Sequence, residues 1–519
     1  MRMNERSHAN RLPWLGALAV LALTAAAHLR GLGGQFVEWD DPSHITRNAV
    51  IRALTFENVR AMFTTSIAKL YCPLTWLSFA IDYQLWGHRP FGYHLVNLLL
   101  HLANTLLVLI LVWKILRNRF ERAAIAAILT AAIFGVHPLR VESVAWVTER
   151  KDVLFAFFYF CALLMYWRWT DTHKRRDYWA CFGLFVASAL SKSAAVTFPV
   201  MLLLIDYVVS KRKAWEEKIP FFVVSLIITA LTFVSQASGA GDTVVSPEVI
   251  PFWARIGLVG YCSLFYVAKF FWPFHLSAVY PTFDEMHWSA LISLGYATAF
   301  LLVTALVIAF RRRWPVLLPA WLFYIIALSP TIGLAPVGIH VVADRYSYLA
   351  LTGLALLVGM AIASAIASMS DKIARFVLGG VIAAAVAVLV LLTYQRDAVW
   401  SNTETLFLNA LQEDPNCLPA HINLTFWYTH LKRFDEAVAH GQRAIEIAPN
   451  GIPGRKNLAY AYINGGHRRE AVGVLRPLAA LGVEDPEVWR LLAECFEALG
   501  DTNNAKLARE TQRKCEGKL

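Results

Sequence analysis

The sequence predicts an all-α membrane protein, a polytopic helix bundle followed by a C-terminal solenoid of helical repeats. Three observations lead there. Of the 519 residues, 57% are hydrophobic and only 16% charged; apolar runs long enough to cross a bilayer recur through residues 1–396; and a 34-residue period sets in after Gln395. The mean hydropathy of +0.48 is far from that of a soluble domain. A net charge of +11 does not indicate nucleic acid, because the cations gather in short clusters between apolar runs: Arg117, Arg119 and Arg122; Lys174 to Arg176; Lys211 to Lys213; Arg311 to Arg313. That distribution marks cytoplasmic loops and excludes a nucleic-acid partner. Seven cysteines stand singly, which indicates neither a disulfide framework nor a zinc site.

Taken in order, Arg2, Arg6 and Arg11 precede the apolar run Leu12 to Leu29, read as an uncleaved first span. Further spans are expected near 92–116, 123–138, 153–169, 178–191, 194–209, 219–236, 288–310, 315–333, 347–366 and 375–394, about eleven in all. With the basic clusters inside, the loops 31–91, 139–152, 191–193, 237–287 and 334–346 lie outside, as does everything after 395. Residues 254–273 are also long enough to span, but a span there would move Arg311 to Arg313 outside. The segment is therefore laid along the outer interface, anchored by Trp253, Tyr261, Tyr266, Lys269 and Trp272. Residues 56–87, with Phe63, Tyr71, Trp76, Phe79 and Trp86, are read the same way.

In the tail, Ala437, Ala471 and Ala505 are 34 residues apart, as are Leu424, Leu458 and Leu492, and Tyr428, Tyr462 and Phe496 keep register. This resembles the tetratricopeptide pattern of paired helices. Ala410 and Pro415 precede Ala444 and Pro449 by the same interval, so three repeats and a leading half repeat are expected over 397–519. Small residues let paired helices approach while the Leu and aromatic positions fill the space between units. Their concave surface suits an extended peptide or another protein; the bland alternative is a stability domain without a ligand.

The chemistry gathers on the outer side. Asp40 and Asp41 sit just past the first span, and a carboxylate pair at a membrane surface needs a partner or a task. A turn or cap at Asp41-Pro42 is the alternative. The segment from His137 to Asp152 places His137, Arg140, Glu142, Glu149, Arg150 and Lys151 within sixteen residues. Arg140 and Arg150 suit a phosphate, since a guanidinium offers a fork of donors. Lys192, alone between two apolar runs, is a phosphate candidate or a snorkelling anchor. His94, Asn97, His101 and Asn104 share one helix face, a pattern that packs spans together, with His94 nearest the outer end. Asp344, Arg345 and Tyr346 open the tenth span, with a local Asp344 and Arg345 pair as the bland reading. Asp284 and Glu285 form a second acidic patch, read as a turn. Such parts suit glycosyl transfer from a polyprenyl phosphate: a carboxylate takes the acceptor proton and cations stabilise the leaving phosphate. No P-loop, dinucleotide fingerprint, nucleophile elbow or HExxH is present.

The motifs Phe36-Val-Glu-Trp-Asp-Asp41, Tyr71-Cys-Pro73-Leu74, Gly92-Tyr-His94-Leu-Val-Asn97, His137-Pro-Leu-Arg-Val-Glu142-Ser-Val-Ala-Trp146 with Glu149-Arg-Lys-Asp152, and Asp344-Arg345-Tyr346 before tetratricopeptide repeats resemble the transmembrane and tetratricopeptide-repeat O-mannosyltransferase family and its bacterial relatives. The resemblance implies a GT-C glycosyltransferase fold and a lipid-phosphate-linked sugar donor, mannose or another hexose. It also implies repeats facing the acceptor, a protein hydroxyl. By position, Asp40 or Asp41 is then the catalytic acid residue, with Asp41 favoured as base. His137, Arg140, Glu142, Arg150 and Arg345 stand near the donor; Lys151, Lys192, His94 and Tyr346 are further candidates for its phosphate or for support. Asp40 and Asp41 permit a divalent metal without requiring one. A bacterial inner membrane with periplasmic repeats is expected, and an endoplasmic reticulum membrane with luminal repeats satisfies the same charge rule. A non-catalytic scaffold that gathers envelope proteins on its repeats is the competing function.

Overall fold

The computed structural model describes residues 14–210, 214–237, 250–283, 285–333 and 340–517. Arg2, Arg6, Arg11, Lys211 to Lys213 and Asp284 lie outside the described residues. Every regular element among those described is helical. Contacts divide the chain into two compact units with the boundary at Ser401 and Asn402; the short stretch Ser277–Val279 groups with the second.

The first unit opens with α1 (Trp14–Ala27), then α2 (Phe56–Thr64) and α3 (Pro73–Trp86) in the first outer stretch. Thr55 caps α2 by accepting the Asn58 N–H, and Pro73 sits where a helix has a donor to spare. Gly87, at φ +59°, ends α3. Ile51, Met62, Trp76, Phe79, Tyr93 and Val147 close a small core over this stretch, so the expected amphipathic element at 56–87 is two helices packed on a folded loop.

The bundle continues with α4 (Pro90–Leu116), α5 (Ala123–Val136), the short α6 (Val141–Ala145), α7 (Arg150–Thr172), α8 (Arg175–Ser191), α9 (Phe198–Ile205) and α10 (Ile219–Ala237). It ends with α11 (Phe252–Phe271), α12 (Ala290–Phe310), α13 (Leu317–Leu328), α14 (Leu351–Ser368) and α15 (Lys372–Val399). Among the described residues, seven helices are long and apolar enough to cross a membrane, or eight when α5 is joined to Pro138–Ala145 across a 58° bend. The chain is therefore multi-pass, but the expected count of about eleven spans is not reproduced. The runs near 12–30, 194–209 and 315–333 form shorter apolar helices. Tight turns at Leu29–Gly33, Asp206–Ser210 and Ser329–Thr331 interrupt them. The run at 178–191 folds into α8, whose first turn carries Arg175, Arg176 and Asp177.

The helix α11 is among the seven, and several of its bonds run to segments expected outside. Cys262 Sγ donates to Val341 O, Tyr266 Oη to Ala343 O, and Phe270 O meets His137 Nε2 at 3.0 Å. Tyr324 Oη, inside the expected span 315–333, donates to Ser263 O of α11, and the helix is long and apolar enough to span, so the interfacial placement expected for 254–273 is not borne out. The polar face of α4 binds helices together as its spacing suggested. Asn97 donates to Val144 O and Trp146 O, His101 bonds Gly135 O and Tyr348 Oη, and Asn104 donates to Val153 O and Tyr348 Oη. Such groups in a lipid-surrounded bundle need internal partners.

The second unit starts at α16 (Thr403–Glu413), closed by a capping box between Asn402 and Thr405. Three helix pairs follow: α17 (Leu418–His430) with α18 (Phe434–Ile447), α19 (Ile452–Asn464) with α20 (Arg468–Ala480), and α21 (Pro486–Ala498) with α22 (Thr502–Glu516). Ala437, Ala471, Ala505, Leu424, Leu458 and Leu492 are all buried, as a repeating core requires.

Close packing in the bundle rests on small residues. A methyl at Gly359 of α14 would lie 2.5 Å from Thr130 Oγ1 and 2.8 Å from Ala126 O of α5, whereas Gly379 of α15 meets nothing within 4 Å. Gly359→Leu should destabilise the bundle by about 1–3 kcal/mol or more, read as a lowered thermal midpoint in detergent, while Gly379→Leu leaves it unchanged. Equal midpoints for the two variants would refute this packing.

Candidate active site

The site is assembled by Asp41. Its backbone enters a tight turn over Pro42–Thr46, and its side chain makes no cap bond there. It reaches across the fold instead: Oδ2 accepts the Val37 N–H at 2.8 Å, and Oδ1 accepts the Thr148 N–H at 3.1 Å and the Thr148 hydroxyl. Asp41 is fully buried. Burial pushes its carboxyl up to about 6, against the downward pull of those hydrogen bonds. Asp40 differs. It is half-buried, with no side-chain bond of the kind that fixes Asp41, and it lies in the field of Lys151 and Arg345. Burial raises its carboxyl and the two cations oppose that rise.

The charges of Lys151 and Arg345 act on Asp40, and both cations, with Lys192, are gathered by Glu149. The buried Glu149 carboxylate has Oε1 3.1 Å from Lys151 Nζ and 3.5 Å from Arg345 Nε, and Oε2 3.7 Å from Lys192 Nζ. Lys192 is also paired with Asp152, whose Oδ2 accepts Ser143 Oγ at 3.0 Å. Arg345 is paired with Glu142, which also accepts the Arg345 N–H at 2.9 Å. The guanidinium lies 5.7 Å from the Trp146 ring centroid and 5.1 Å from that of Tyr346. Their side chains keep only 12% (Lys151), 18% (Lys192) and 11% (Arg345) exposure, so all three are held largely within the protein. Trp39 stacks on Trp146 at 4.9 Å beside them, and the His340 ring meets Trp39 edge-on at 6.2 Å. Burial and the Arg345 charge lower His340 to about 4.

Of the residues picked from sequence, the structure brings together Asp40, Asp41, Glu142, Lys151, Lys192, Arg345 and Tyr346. Four others are placed elsewhere. Arg150 is buried against Asp82 at 2.7 Å, Tyr93 O at 2.9 Å and Asn97. Arg140 donates to Phe134 O, Ser347 O and Tyr348 O and lies over the Phe134 ring. Neither arginine has the open fork that a phosphate needs; both satisfy buried acceptors at helix ends. His137 bonds Phe270 O, accepts the Leu139 N–H and stacks on Phe270 at 5.1 Å. His94 is buried beneath the backbone of Gly34, whose Cβ would lie 3.0 Å from its Nε2. The expected local Asp344 and Arg345 pair does not form. Asp344 accepts Tyr280 Oη at 2.7 Å and lies 3.8 Å from Arg396, leaving Arg345 to Glu142. Glu285 accepts the Thr282 N–H at 2.6 Å, the expected turn.

Glu149 and Asp152 were visible in the charged segment but had no assigned role. Their spacing of three, facing cations from distant loops, is the signal that was available. The donor set does not suit a divalent metal. Both Asp41 oxygens are taken by N–H and O–H donors, Asp40 is flanked by two cations, and no group of three His, Cys, Asp or Glu side chains converges among the described residues.

Fold and site together define a class: a multi-pass membrane protein with a cluster of acids and cations at the ends of its apolar helices, joined to a tetratricopeptide array. Residues 73–235 match the family described as dolichyl-phosphate-mannose-protein mannosyltransferase, and residues 428–495 match a tetratricopeptide repeat. The chain is 31% identical over 211 residues to protein O-mannosyl-transferase TMTC4 of Homo sapiens, covering 36% of this chain and 28% of that protein. It is 34% identical over 166 residues to protein O-mannosyl-transferase TMTC1 of Mus musculus, covering 30% and 17%. The chain thus aligns with less than a third of either relative's length. A crystal structure of ArnT from Cupriavidus metallidurans bound to undecaprenyl phosphate superposes with TM-score 0.41 at 14% identity, over 89% of this chain and 80% of that one. The sequence matches bear out the resemblance to the transmembrane and tetratricopeptide-repeat O-mannosyltransferases.

The buried Asp41 carries a stability signature. Its folded value of about 6 exceeds its ordinary 3.8, so the folded chain keeps a proton that the unfolded chain releases. That contribution is complete below pH 4 and is lost as the pH rises through 6, a change of at most about 3 kcal/mol. Between pH 4 and 6.5 the thermal midpoint of the wild type should fall relative to that of Asp41→Asn. A difference that does not vary with pH would contradict this.

Proposed function

We propose that the chain is an integral-membrane glycosyltransferase that moves a hexose, in the first instance mannose, from a polyprenyl-phosphate donor to a protein hydroxyl. The observation that carries the reading is the half-buried Asp40 carboxylate standing in the field of Lys151 and Arg345, beside the buried hub Glu149. The donor class follows from the description of the family matched at residues 73–235.

Asp40 is the general base in this reading, and Asp41 is the residue that holds it, which reverses the division of labour that the sequence favoured. The acceptor oxygen attacks the anomeric carbon as the bond from that carbon to the phosphate oxygen breaks, and the acceptor proton passes to Asp40. The phosphate gains negative charge as it leaves. Lys151, Arg345 and Lys192 are already fixed by Glu149, Asp152 and Glu142, so they need little reorganisation to receive that charge. The active groups come from the first outer stretch, the start of α7, the turn after α8 and the turn before α14, all on the side assigned outside by the charge rule. The tetratricopeptide unit presents the acceptor protein, in a bacterial inner membrane with the repeats in the periplasm.

In membranes supplied with polyprenyl-phosphate mannose and a defined acceptor protein, Asp40→Asn should reduce transfer by at least about 10²-fold with the thermal midpoint retained. The rate of the wild type should rise with pH along a limb set by Asp40, above its ordinary value of 3.8, and the variant should lack that limb. Full transfer by Asp40→Asn would end the catalytic reading and leave a scaffold. Removing residues 403–519 should spare transfer to a short peptide and impair transfer to the protein; equal loss on both acceptors would remove the docking role.

A further inference from the structure

The turn that carries Asp40 holds a second polar side chain, which the transfer scheme does not use. His44 is 3% exposed. Its N–H donates to Asp40 O at 3.1 Å, and Asp41 between them has helical angles, φ −56° and ψ −35°, so one helical turn separates Asp40 from His44. Residues four apart on such a turn present neighbouring side chains. The turn is pinned beyond His44 as well. Asn48 Nδ2 donates to His44 O at 3.1 Å, Asn48 Oδ1 accepts the Val50 N–H at 3.0 Å, and Ile45 is buried in the small core with Trp76 and Val147.

The ring of His44 is not used in this way. Buried His101 bonds Tyr348 Oη and Gly135 O, and buried His137 bonds Phe270 O and the Leu139 N–H, whereas the His44 nitrogens bond no group among the described residues. Nor are they sealed off like the nitrogens of His28 and His94, which lack hydrogen bonds and are closed to solvent. A buried polar side chain without a partner costs stability unless something completes it. The charges that act on Asp40 include Lys151 and Glu149, and the same two act on His44. Burial and the Lys151 charge push the imidazole down to about 3, so it stays neutral, with one N–H and one lone pair.

A neutral imidazole adds little to phosphate binding, which the cations serve. It suits a hydroxyl, a group that also donates and accepts. Transfer brings two kinds of hydroxyl to the site, those of the donor sugar and that of the acceptor. The acceptor hydroxyl belongs at Asp40 and the phosphate at Lys151, and the hexose lies between them. A side chain one turn from Asp40 and in the field of Lys151 stands beside that hexose. We propose that His44 is a specificity-determining residue that binds a hydroxyl of the donor hexose next to Asp40. The assignment rests on the transfer reading and adds to it the group that reads the sugar.

The test measures binding apart from transfer. The full chain in detergent is titrated with polyprenyl-phosphate mannose and with bare polyprenyl phosphate, as wild type, His44→Phe and His44→Gln. Phe keeps a flat ring without polar atoms, and Gln keeps a donor and an acceptor. His44→Phe should bind the mannose-bearing lipid about 10-fold more weakly, the cost of one hydrogen-bonding group left unpaired, and the bare phosphate as before. His44→Gln should recover part of that loss, which a packing defect would not allow. A series of monodeoxy mannose donors tests the wild type without any variant: removal of one particular hydroxyl should weaken binding by about 10-fold. Equal weakening of both lipids, wild-type affinity in His44→Phe, or indifference of the wild type to every deoxy position would each overturn the assignment. A His44→Phe defect confined to the KM of the acceptor would give the ring to the acceptor and overturn it too. Sugar binding that depends on His44 in a chain that transfers nothing would end the transfer reading alone.

Discussion

The arrangement of the acid and cation cluster depends on one buried carboxylate. Asp41 accepts the Val37 N–H from its own loop and two donors from Thr148, a residue 107 positions away in the chain. These bonds fasten the first outer stretch to the turn that carries Glu149 and starts α7. Together with the stack of Trp39 on Trp146, they set where Asp40 stands relative to Lys151 and Arg345. A carboxyl placed in that environment resists ionisation, and its hydrogen bonds offset only part of the penalty. The small core that includes Ile45, Trp76 and Val147 keeps water from the same region and so deepens that penalty.

A second constraint is the balance of charge around Glu149. Lys151, Lys192 and Arg345 come from three separate segments and converge on carboxylates that are almost wholly buried. Buried ion pairs add little net stability when desolvation is counted, so their value lies in fixing geometry. Cations held this way would, in the proposed reaction, meet the leaving phosphate without having to be gathered first. Arg140 and Arg150 illustrate the opposite use of the same side chain. Each is spent on carbonyls or on Asp82 inside the bundle, where the guanidinium supplies several donors to otherwise unsatisfied acceptors.

Much of this was legible before any coordinates. The 34-residue period of Ala437, Ala471 and Ala505 is a local signal and yields three helix pairs. The stripe from His94 to Asn104 reads as interhelical polar packing because its spacing alone puts the residues on one face. The number of spans is not legible in the sequence, since hydropathy registers apolar length but not the tight turns that stop α1, α9 and α13 short. The aspartate pair was legible as a pair, but the difference between its members was not. Which of two neighbouring carboxylates is buried depends on where Thr148 lies, and no periodicity encodes that. Arg140 and Arg150 misled for the same reason: the sequence displays a guanidinium but not the carbonyls it meets.

The most direct measurement of the central claim is a cryo-electron-microscopy structure of the full chain with a polyprenyl-phosphate sugar bound. The account predicts the donor phosphate within hydrogen-bond reach of Lys151 and Arg345, Asp40 facing the anomeric carbon from the acceptor side, and Asp41 still bonded to Val37 and Thr148. A phosphate held by Arg140 or Arg150, or a donor sugar on which Asp41 rather than Asp40 closes, would contradict it.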